Sequence, residues 1–284
     1  MTRQLVITAD DLARDPASDV VVLDLLGDSS VTATTLIPVS PHAGVAARRA
    51  RELDVQPRLH LTLTSERGRP PWRALSGVSS LTGPDGALTD DPHVLAERAQ
   101  TADVVAELEA QLGWMHAHDL RPAAADSHAG TLYGLHGRSD GSWLAETLAW
   151  CARNQLAFRL PRDAEPYMGR LPPELAERHA AAVALADDLG VRLPDVILTN
   201  RRAAQDLGSY ETLCTDLLAR LETLPEGVSE LFLHPADDRR TAADGRDEGT
   251  PDRLRAWEAR LLRDPVWRET LDRSGIELVG GWWS

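Results

Sequence analysis

Short apolar, strand-like runs alternate with amphipathic helical segments along the whole chain, and this alternation most constrains the fold. Between the runs, apolar residues recur at three- and four-residue spacing, as they do in amphipathic helices. Such alternation favours βα units around a mostly parallel sheet, so we expect an α/β fold. The eight strand-like runs, each bounded by turn or charged residues, are QLVITA (4–9), VTATTLI (31–37), RLHLTLT (58–64), AAADS (123–127), AFRLP (157–161), DVILTN (195–200), ELFLHP (230–235) and IELVGG (276–281).

Eight such units predict a TIM-like (β/α) barrel, regular or irregular, formed by residues 1–284 as a single domain. An open doubly wound sheet is the alternative. The first strand is not followed by GxGxxG, which weakens a dinucleotide-binding version of that alternative. Residues 65–92 are rich in Gly, Pro and Ser and predict a long loop excursion after the third strand. Loops of this length in a compact domain are often functional lids.

Charge and composition limit the partners that we expect. The chain has 44 acidic and 30 basic side chains, a formal net charge of -14, whereas nucleic-acid-binding proteins carry clustered Lys and Arg. It has no apolar run of about 18 residues, and its N-terminal residues do not resemble a signal peptide. Cys151 and Cys214 lie in apolar helical patterns, as expected for thiols in a reducing compartment. We therefore expect a soluble, cytoplasmic protein that binds neither nucleic acid nor membrane, and leave open whether it is a homodimer.

Aspartates and histidines stand in or just after four of the predicted strands. Asp10 and Asp11 follow the first strand in ITADD, and His60 lies in the third, within LHLTLT. Asp126 and His128 end the fourth strand in DSH, and His234 ends the seventh in LFLHP. In a parallel barrel the carboxyl ends of the strands meet at one face, where catalytic groups come from several strands. These six residues are therefore predicted to share one site.

The residue types at this site favour metal chemistry. One carboxylate and two imidazoles suit Zn²⁺ or a similar divalent ion, so Asp11, His60 and His128 are predicted metal ligands. A cation would also neutralise one of two adjacent carboxylates. Successive residues of an extended chain point in different directions, so Asp10 is predicted to face the metal-bound water as general base. His234 is predicted to protonate the leaving group.

Each of these motifs also has an interpretation without chemistry. Two aspartates after a strand often form a turn or a helix N-cap, and a histidine in an apolar strand is often a core residue. DSH and HP are common at turns and strand ends. The functional hypothesis depends on all four motifs falling at matching positions of the βα pattern. His116 and His118, in MHAHD, are interpreted as helix-end residues, because i and i+2 side chains do not share a helix face.

Together the motifs resemble those of the YdjC-like carbohydrate deacetylases, a family that includes chitooligosaccharide deacetylases. The resemblance rests on ITADD, LHLTLT, DSH, FRLP, ELFLHPA and GIELVGG, which keep their order over essentially the whole chain. It implies a variant TIM-like barrel that uses a divalent metal to remove N-acetyl groups from amino sugars.

The resemblance also implies roles for particular residues. It puts Asp10 on the catalytic base and His234 on the general acid, and the metal ligands on the same Asp11, His60 and His128. Arg159, in FRLP, matches an arginine of the family's fifth-strand motif, and its implied role is to orient Asp10 or bind the substrate.

The chain departs from the family pattern around DSH. Ala124 and Gly130 stand where the family usually has histidines, in a pattern like HxDSHxH, and Leu12 and Ala13 replace a Phe-Gly pair. Because of these differences, the resemblance does not settle whether the chain shares the family's usual chitooligosaccharide substrate, and the identity of the sugar is left open.

The function predicted from the sequence is metal-dependent removal of the N-acetyl group from an N-acetylated sugar, which gives acetate and a free amine. Zn²⁺ is the favoured metal, with Mg²⁺, Mn²⁺ and Co²⁺ as alternatives. Two other functions are left open. One is a sugar- or metabolite-binding protein of the same fold without hydrolytic activity, and the other is a metal-dependent hydrolase of another ester or amide.

Overall fold

The structure, a computed structural model, describes residues 2–135, 142–237 and 251–282. Each of the eight predicted strands corresponds to an observed one. The strands are β1 (Arg3–Leu12), β2 (Ala33–Leu36), β3 (Arg58–Leu61), β4 (Ala124–Ser127), β5 (Ala157–Phe158), β6 (Val196–Leu198), β7 (Gly227–Leu233) and β8 (Glu277–Leu278). Among these described residues, no helix combines the length and the apolar character needed to cross a lipid bilayer.

Helices occupy the segments between the strands, as the alternation predicts. They are α1 (Pro16–Gly27), α2 (Ala43–Glu52), α3 (Pro92–Arg98), α4 (Thr101–Ala117), α5 (Leu144–Arg153), α6 (Glu165–Met168), α7 (Pro173–Leu189), α8 (Ala204–Leu207), α9 (Tyr210–Glu222), α10 (Pro251–Arg263) and α11 (Pro265–Ser274). A 3₁₀ helix, His128–Tyr133, follows β4.

Contacts along the chain divide it into two compact units. The first comprises Met1–Thr35, Pro161–Leu171 and Pro194–Ser284, and the second comprises Leu36–Leu160 and Pro172–Leu193. The single domain expected from the sequence stays a prediction.

In the first unit, β1 lies between β7 and β8, and β7 also pairs with β6, all in parallel. The consecutive residues Leu5, Val6, Ile7 and Thr8 of β1 are all fully buried. Such continuous burial is typical of a parallel strand covered on both faces. Asp15 then caps α1 by accepting hydrogen bonds from two backbone N–H groups of the first turn.

In the second unit, β3 pairs with β4 and β4 pairs with β5, again in parallel. The register puts His60 opposite Asp126 and Ala125 opposite Phe158. All four residues of β3 and of β4 are buried. Two polar side chains are therefore held side by side within buried strands.

The predicted barrel is confirmed in its α/β class and its parallel strands, but not in its closure. Among the residues that the structure describes, the strand order ends at β5 on one side and at β6 on the other. β5 has only two residues because the chain turns directly after it, where the Leu160 N–H donates to the carbonyl of Phe158. Pro161 follows and has no N–H with which to continue a ladder.

The predicted excursion at residues 65–92 is an ordered segment of the second unit. Its chain folds back on itself through two isolated antiparallel bridges, Arg73 to Ala87 and Thr82 to Leu88. It is fastened to α4 by the fully buried Glu107. That carboxylate accepts hydrogen bonds from the backbone N–H groups of Leu75 and Ser76 and from the Ser76 hydroxyl.

Candidate functional site

The first unit brings both aspartates of ITADD together with His234. Asp10 and Asp11 lie near the end of β1, and each is 2% exposed. The register pairs Thr8 with Phe232, so the next pair of side chains on that face is Asp10 and His234. Nε2 of His234 is 4.0 Å from Oδ2 of Asp10, and the His234 side chain is 33% exposed. The buried carboxylate thus has a solvent-accessible imidazole beside it.

Thr35, at the end of β2, binds both aspartates. Its Oγ1 accepts the Asp11 backbone N–H at 3.2 Å and its hydroxyl donates to Oδ1 of Asp10 at 3.0 Å. Asp11 has a φ of +71°, in the left-handed region that Asp enters more readily than most residues. Thr35 therefore fixes the Asp10 carboxylate and the turned backbone at Asp11 together.

Helix α10 adds two charged side chains to this group. Nη2 of Arg255 is 2.7 Å from Oδ2 of Asp11, and Oε2 of Glu258 accepts the His234 backbone N–H at 2.7 Å. Burial raises the pKa of Glu258 to about 7, and the charges of Asp10 and Asp11 add to the rise. The hydrogen bond from His234 and the charge of Arg255 oppose it.

The second unit places His60 against Asp126, as the strand register requires. Nδ1 of His60 is 2.7 Å from Oδ1 of Asp126, and both side chains are buried. An ionised carboxylate only accepts hydrogen bonds, so Nδ1 of His60 is the donor in this contact, and a neutral imidazole then presents the lone pair of Nε2. A carboxylate in this position commonly orients a metal-binding imidazole.

Arg159 contacts the other oxygen of the same carboxylate. Its Nη1 is 2.5 Å from Oδ2 of Asp126, and Arg159 is 4% exposed. The backbone carbonyl of Arg159 also accepts a hydrogen bond from the Tyr133 hydroxyl at 2.6 Å. In this unit Arg159 therefore holds Asp126, which in turn holds His60.

His128 follows β4 directly, and its imidazole packs beside two other rings. The His128 and His60 ring centroids are 5.1 Å apart with an interplanar angle of 78°. Trp72, from the excursion, lies 5.5 Å from His128 between centroids and is 3% exposed. Positive φ angles at Ala129 and Gly130 turn the chain just after His128.

The predicted site residues thus lie in two groups, one in each unit. Asp10, Asp11 and His234 meet in the first, and His60, His128 and Arg159 belong to the second. Buried aspartate and histidine side chains of these groups could bind a metal ion.

The sequence did not predict the contacts that four further residues make in these groups, namely Thr35, Asp126, Arg255 and Glu258. Asp126 had a signal, because it belongs to DSH and alternation puts it beside a strand residue. Arg255 and Glu258 had none, because charged residues three apart are ordinary on an amphipathic helix.

The histidines of MHAHD lie at the end of α4, as the sequence predicts. His116 is exposed, and the His118 ring stacks on Trp114 with 3.7 Å between centroids. The Trp114 carbonyl is 2.8 Å from Nδ1 of His118. These contacts are local to the helix end.

Comparison with known proteins decides the family. The model of a family described as YdjC-like protein matches residues 4–273. The chain belongs to the YdjC-like family. The resemblance seen in the sequence motifs is thereby confirmed over nearly the whole chain.

Relatives of this YdjC-like protein include three named carbohydrate deacetylase. That of Mus musculus is 27% identical over 307 residues, covering 97% of this chain and 93% of the relative. That of Homo sapiens is 27% identical over 308 residues, covering 97% and 89%. That of Geobacillus stearothermophilus is 32% identical over 175 residues, covering 61% and 64%.

A solved structure has a similar fold. The crystal structure of a candidate cellobiose-phosphate cleavage protein from Enterococcus faecalis V583 matches with a TM-score of 0.75 and 24% identity. The match covers 98% of this chain and 97% of that one. At this identity the likeness establishes the fold alone.

Proposed function

We propose that this YdjC-like protein is a metal-dependent carbohydrate deacetylase that removes the N-acetyl group from an amino sugar or its oligosaccharide. The family and the name shared by its relatives support the substrate class. The observation that carries the metal dependence is the buried hydrogen bond from Nδ1 of His60 to Asp126, which sets the imidazole up as a ligand through Nε2.

The proposed metal ligands are Asp11, His60 and His128. All three are buried and offer one carboxylate oxygen and two imidazole nitrogens. This donor set fits a divalent cation that keeps open positions for water and substrate, and Zn²⁺ is favoured over Mg²⁺, Mn²⁺ or Co²⁺. When bound, such a cation lowers the pKa of a water molecule and polarises the acetyl carbonyl.

The remaining residues handle protons. Asp10 accepts the proton of the attacking water through the carboxylate that Thr35 holds. His234 donates a proton to the departing amine, and its partial exposure allows it to reach a substrate. The products are acetate and a free amine.

Arg159 has its own place in the proposal. The sequence resemblance implied that it orients Asp10 or binds the substrate. Its burial and its contact with Asp126 support an orienting part in the second group, and substrate binding by Arg159 stays an expectation.

Metal content tests the proposal whichever sugar is the substrate. After Zn²⁺ loading and desalting, the parent should retain about one equivalent, as one four-coordinate site requires. The variants His60→Ala and His128→Ala should retain almost none. The exposed His116→Ala is the matched control and should behave like the parent. A parent without metal, or metal that persists in both site variants, would refute the proposed ligands.

A substrate panel then separates the candidate reactions. Acetate release from N-acetylated sugars supports the deacetylase, and cleavage of O-acetyl or non-sugar substrates alone points to another metal-dependent hydrolase. Saturable sugar binding without acetate release under any metal would instead identify a binding protein.

A further inference from the structure

Two proposed site residues of the first unit lie just beyond the paired residues of β1 and β7. The paired residues of β1 and β7 end at Ala9 and Leu233. Asp11 and His234 therefore come after the last pair of this register. Contacts other than these strand pairs must therefore hold the Asp11 carboxylate and the backbone of His234.

Helix α10 contacts the segments that follow the paired residues of β1 and β7. Arg255 and Glu258 are three residues apart and so share one helix face. The Arg255 guanidinium is 2.7 Å from the Asp11 carboxylate, and the Glu258 carboxylate accepts the His234 N–H at 2.7 Å. A third link, from the Ala236 N–H to the Arg255 carbonyl at 3.2 Å, fastens the same turn of helix to the chain after β7.

The burial and hydrogen bonding of Glu258 argue against a side chain that only fills space in the core. It is 1% exposed, and a buried carboxylate is costly unless it is hydrogen-bonded. The group that it binds is the N–H of His234, the first residue after β7. The Glu258 acceptor therefore takes the place of a further strand partner.

We propose that Arg255 and Glu258 are positioning residues, with Arg255 orienting the Asp11 carboxylate for the metal and Glu258 fixing His234 for proton donation. This inference rests on the proposed function. Neither side chain touches substrate in this scheme, and each acts through the residue that it binds.

Metal affinity tests the Arg255 half. Zn²⁺ dissociation constants are measured by competition with a chromophoric chelator for the parent, Arg255→Met, Arg255→Lys and the control Arg263→Met, on the exposed face of the same helix. Loss of an orienting partner typically costs about 10- to 100-fold in metal affinity, so Arg255→Met should weaken binding by that factor. Lys should recover part of the loss, and Arg263→Met should match the parent. Parent-like or tighter binding in Arg255→Met would overturn this half.

Turnover and amide exchange test the Glu258 half. A displaced catalytic group can cost about 100-fold in rate, so Glu258→Met should lower kcat on this scale and leave KM and Zn²⁺ affinity unchanged. Glu258→Gln should restore most of kcat, because its amide oxygen can still accept the His234 N–H. Hydrogen exchange of that N–H, followed by NMR, should accelerate in Met and remain slow in Gln. Unchanged exchange and kcat in Met, or a Gln variant as impaired as Met, would overturn it.

The readouts distinguish failure of this inference from failure of the proposed function. Zn²⁺ affinity and amide exchange need no substrate, so both still decide the positioning roles if the parent releases no acetate. If Glu258→Met does not fold, Glu258→Asp replaces it, since the shorter side chain keeps the carboxyl group but draws the acceptor away. The same loss of kcat and amide protection is expected there, and their retention would refute the role of Glu258.

Discussion

Asp10 and Asp11 are adjacent residues with different partners. Asp10 has the Thr35 hydroxyl and His234 beside it, whereas Asp11 has the Arg255 guanidinium. Two carboxylates next to each other in sequence can therefore serve two purposes, one as a base and one as a ligand.

Asp10→Asn tests that division. The amide has the size of the carboxylate and can still accept the Thr35 hydroxyl, but it cannot take a proton from water. We expect Zn²⁺ content to equal that of the parent and kcat to fall by about 100- to 10,000-fold, the usual contribution of a general base. The control is Asp24→Asn, on the exposed face of α1. Parent-like turnover in Asp10→Asn would disprove the assignment of the base.

The sequence singles out the six predicted site residues because each belongs to a motif in or beside a predicted strand, and their roles stay predictions. The contact between Asp11 and Arg255 could not be predicted, because the two residues are separated by 244 positions along the chain. Nothing local in either segment specifies that contact. It depends on where α10 packs, which is a tertiary outcome.

At the scale of elements, the strands were predictable but their ends were not. β4 forms from AADS although alanine has a low strand propensity, because burial on both faces outweighs propensity. β3 stops at Leu61, inside the predicted LHLTLT, because the Gln111 side chain takes both backbone groups of Thr62. An amide side chain from α4 thus replaces a strand neighbour.

The fastening of the excursion gives a prediction for that element. Glu107→Leu removes the acceptor for the backbone N–H groups of Leu75 and Ser76. A buried donor left without an acceptor costs about 1–3 kcal/mol of stability. We expect faster trypsin cleavage after Arg73, measured by mass spectrometry of short digests. Glu97→Leu, on α3, is the control and should be cleaved like the parent. An unchanged cleavage rate in Glu107→Leu would show that other contacts hold the segment.

For the molecule as a whole, the buried Glu258 makes stability depend on pH. Its pKa rises from an ordinary 4.5 to about 7 on burial, so the folded state binds the proton more tightly than the unfolded state. The stabilising contribution is complete below pH 4.5 and is lost as the pH rises through about 7.

Urea unfolding with a chelator present measures this contribution. The unfolding free energy of the parent minus that of Glu258→Gln should fall between pH 4.5 and about 7 and change little above it. The subtraction removes the titration of groups common to both proteins. A flat difference over this range would mean that Glu258 has an ordinary pKa in the folded protein.

The α/β class of the whole chain followed from sequence because each βα unit is a local pattern that repeats. The two-residue length of β5 did not, because it is set by a local turn at Leu160. The two compact units were not visible either, because each is assembled from segments distant in sequence and no linker composition marks their boundary.

The positive φ of Asp11 bears on why the proposed ligand is aspartate and not glutamate. Both side chains offer a carboxylate to a metal, and glutamate has the longer reach. The left-handed region, however, is open at modest cost to Asp and Asn, whose short polar side chains can bond locally. Asn suits that backbone but lacks the charge, and Glu has the charge but suits the backbone poorly. A substitution tolerated at this position must satisfy coordination chemistry and chain conformation at once, and among the common amino acids aspartate does both.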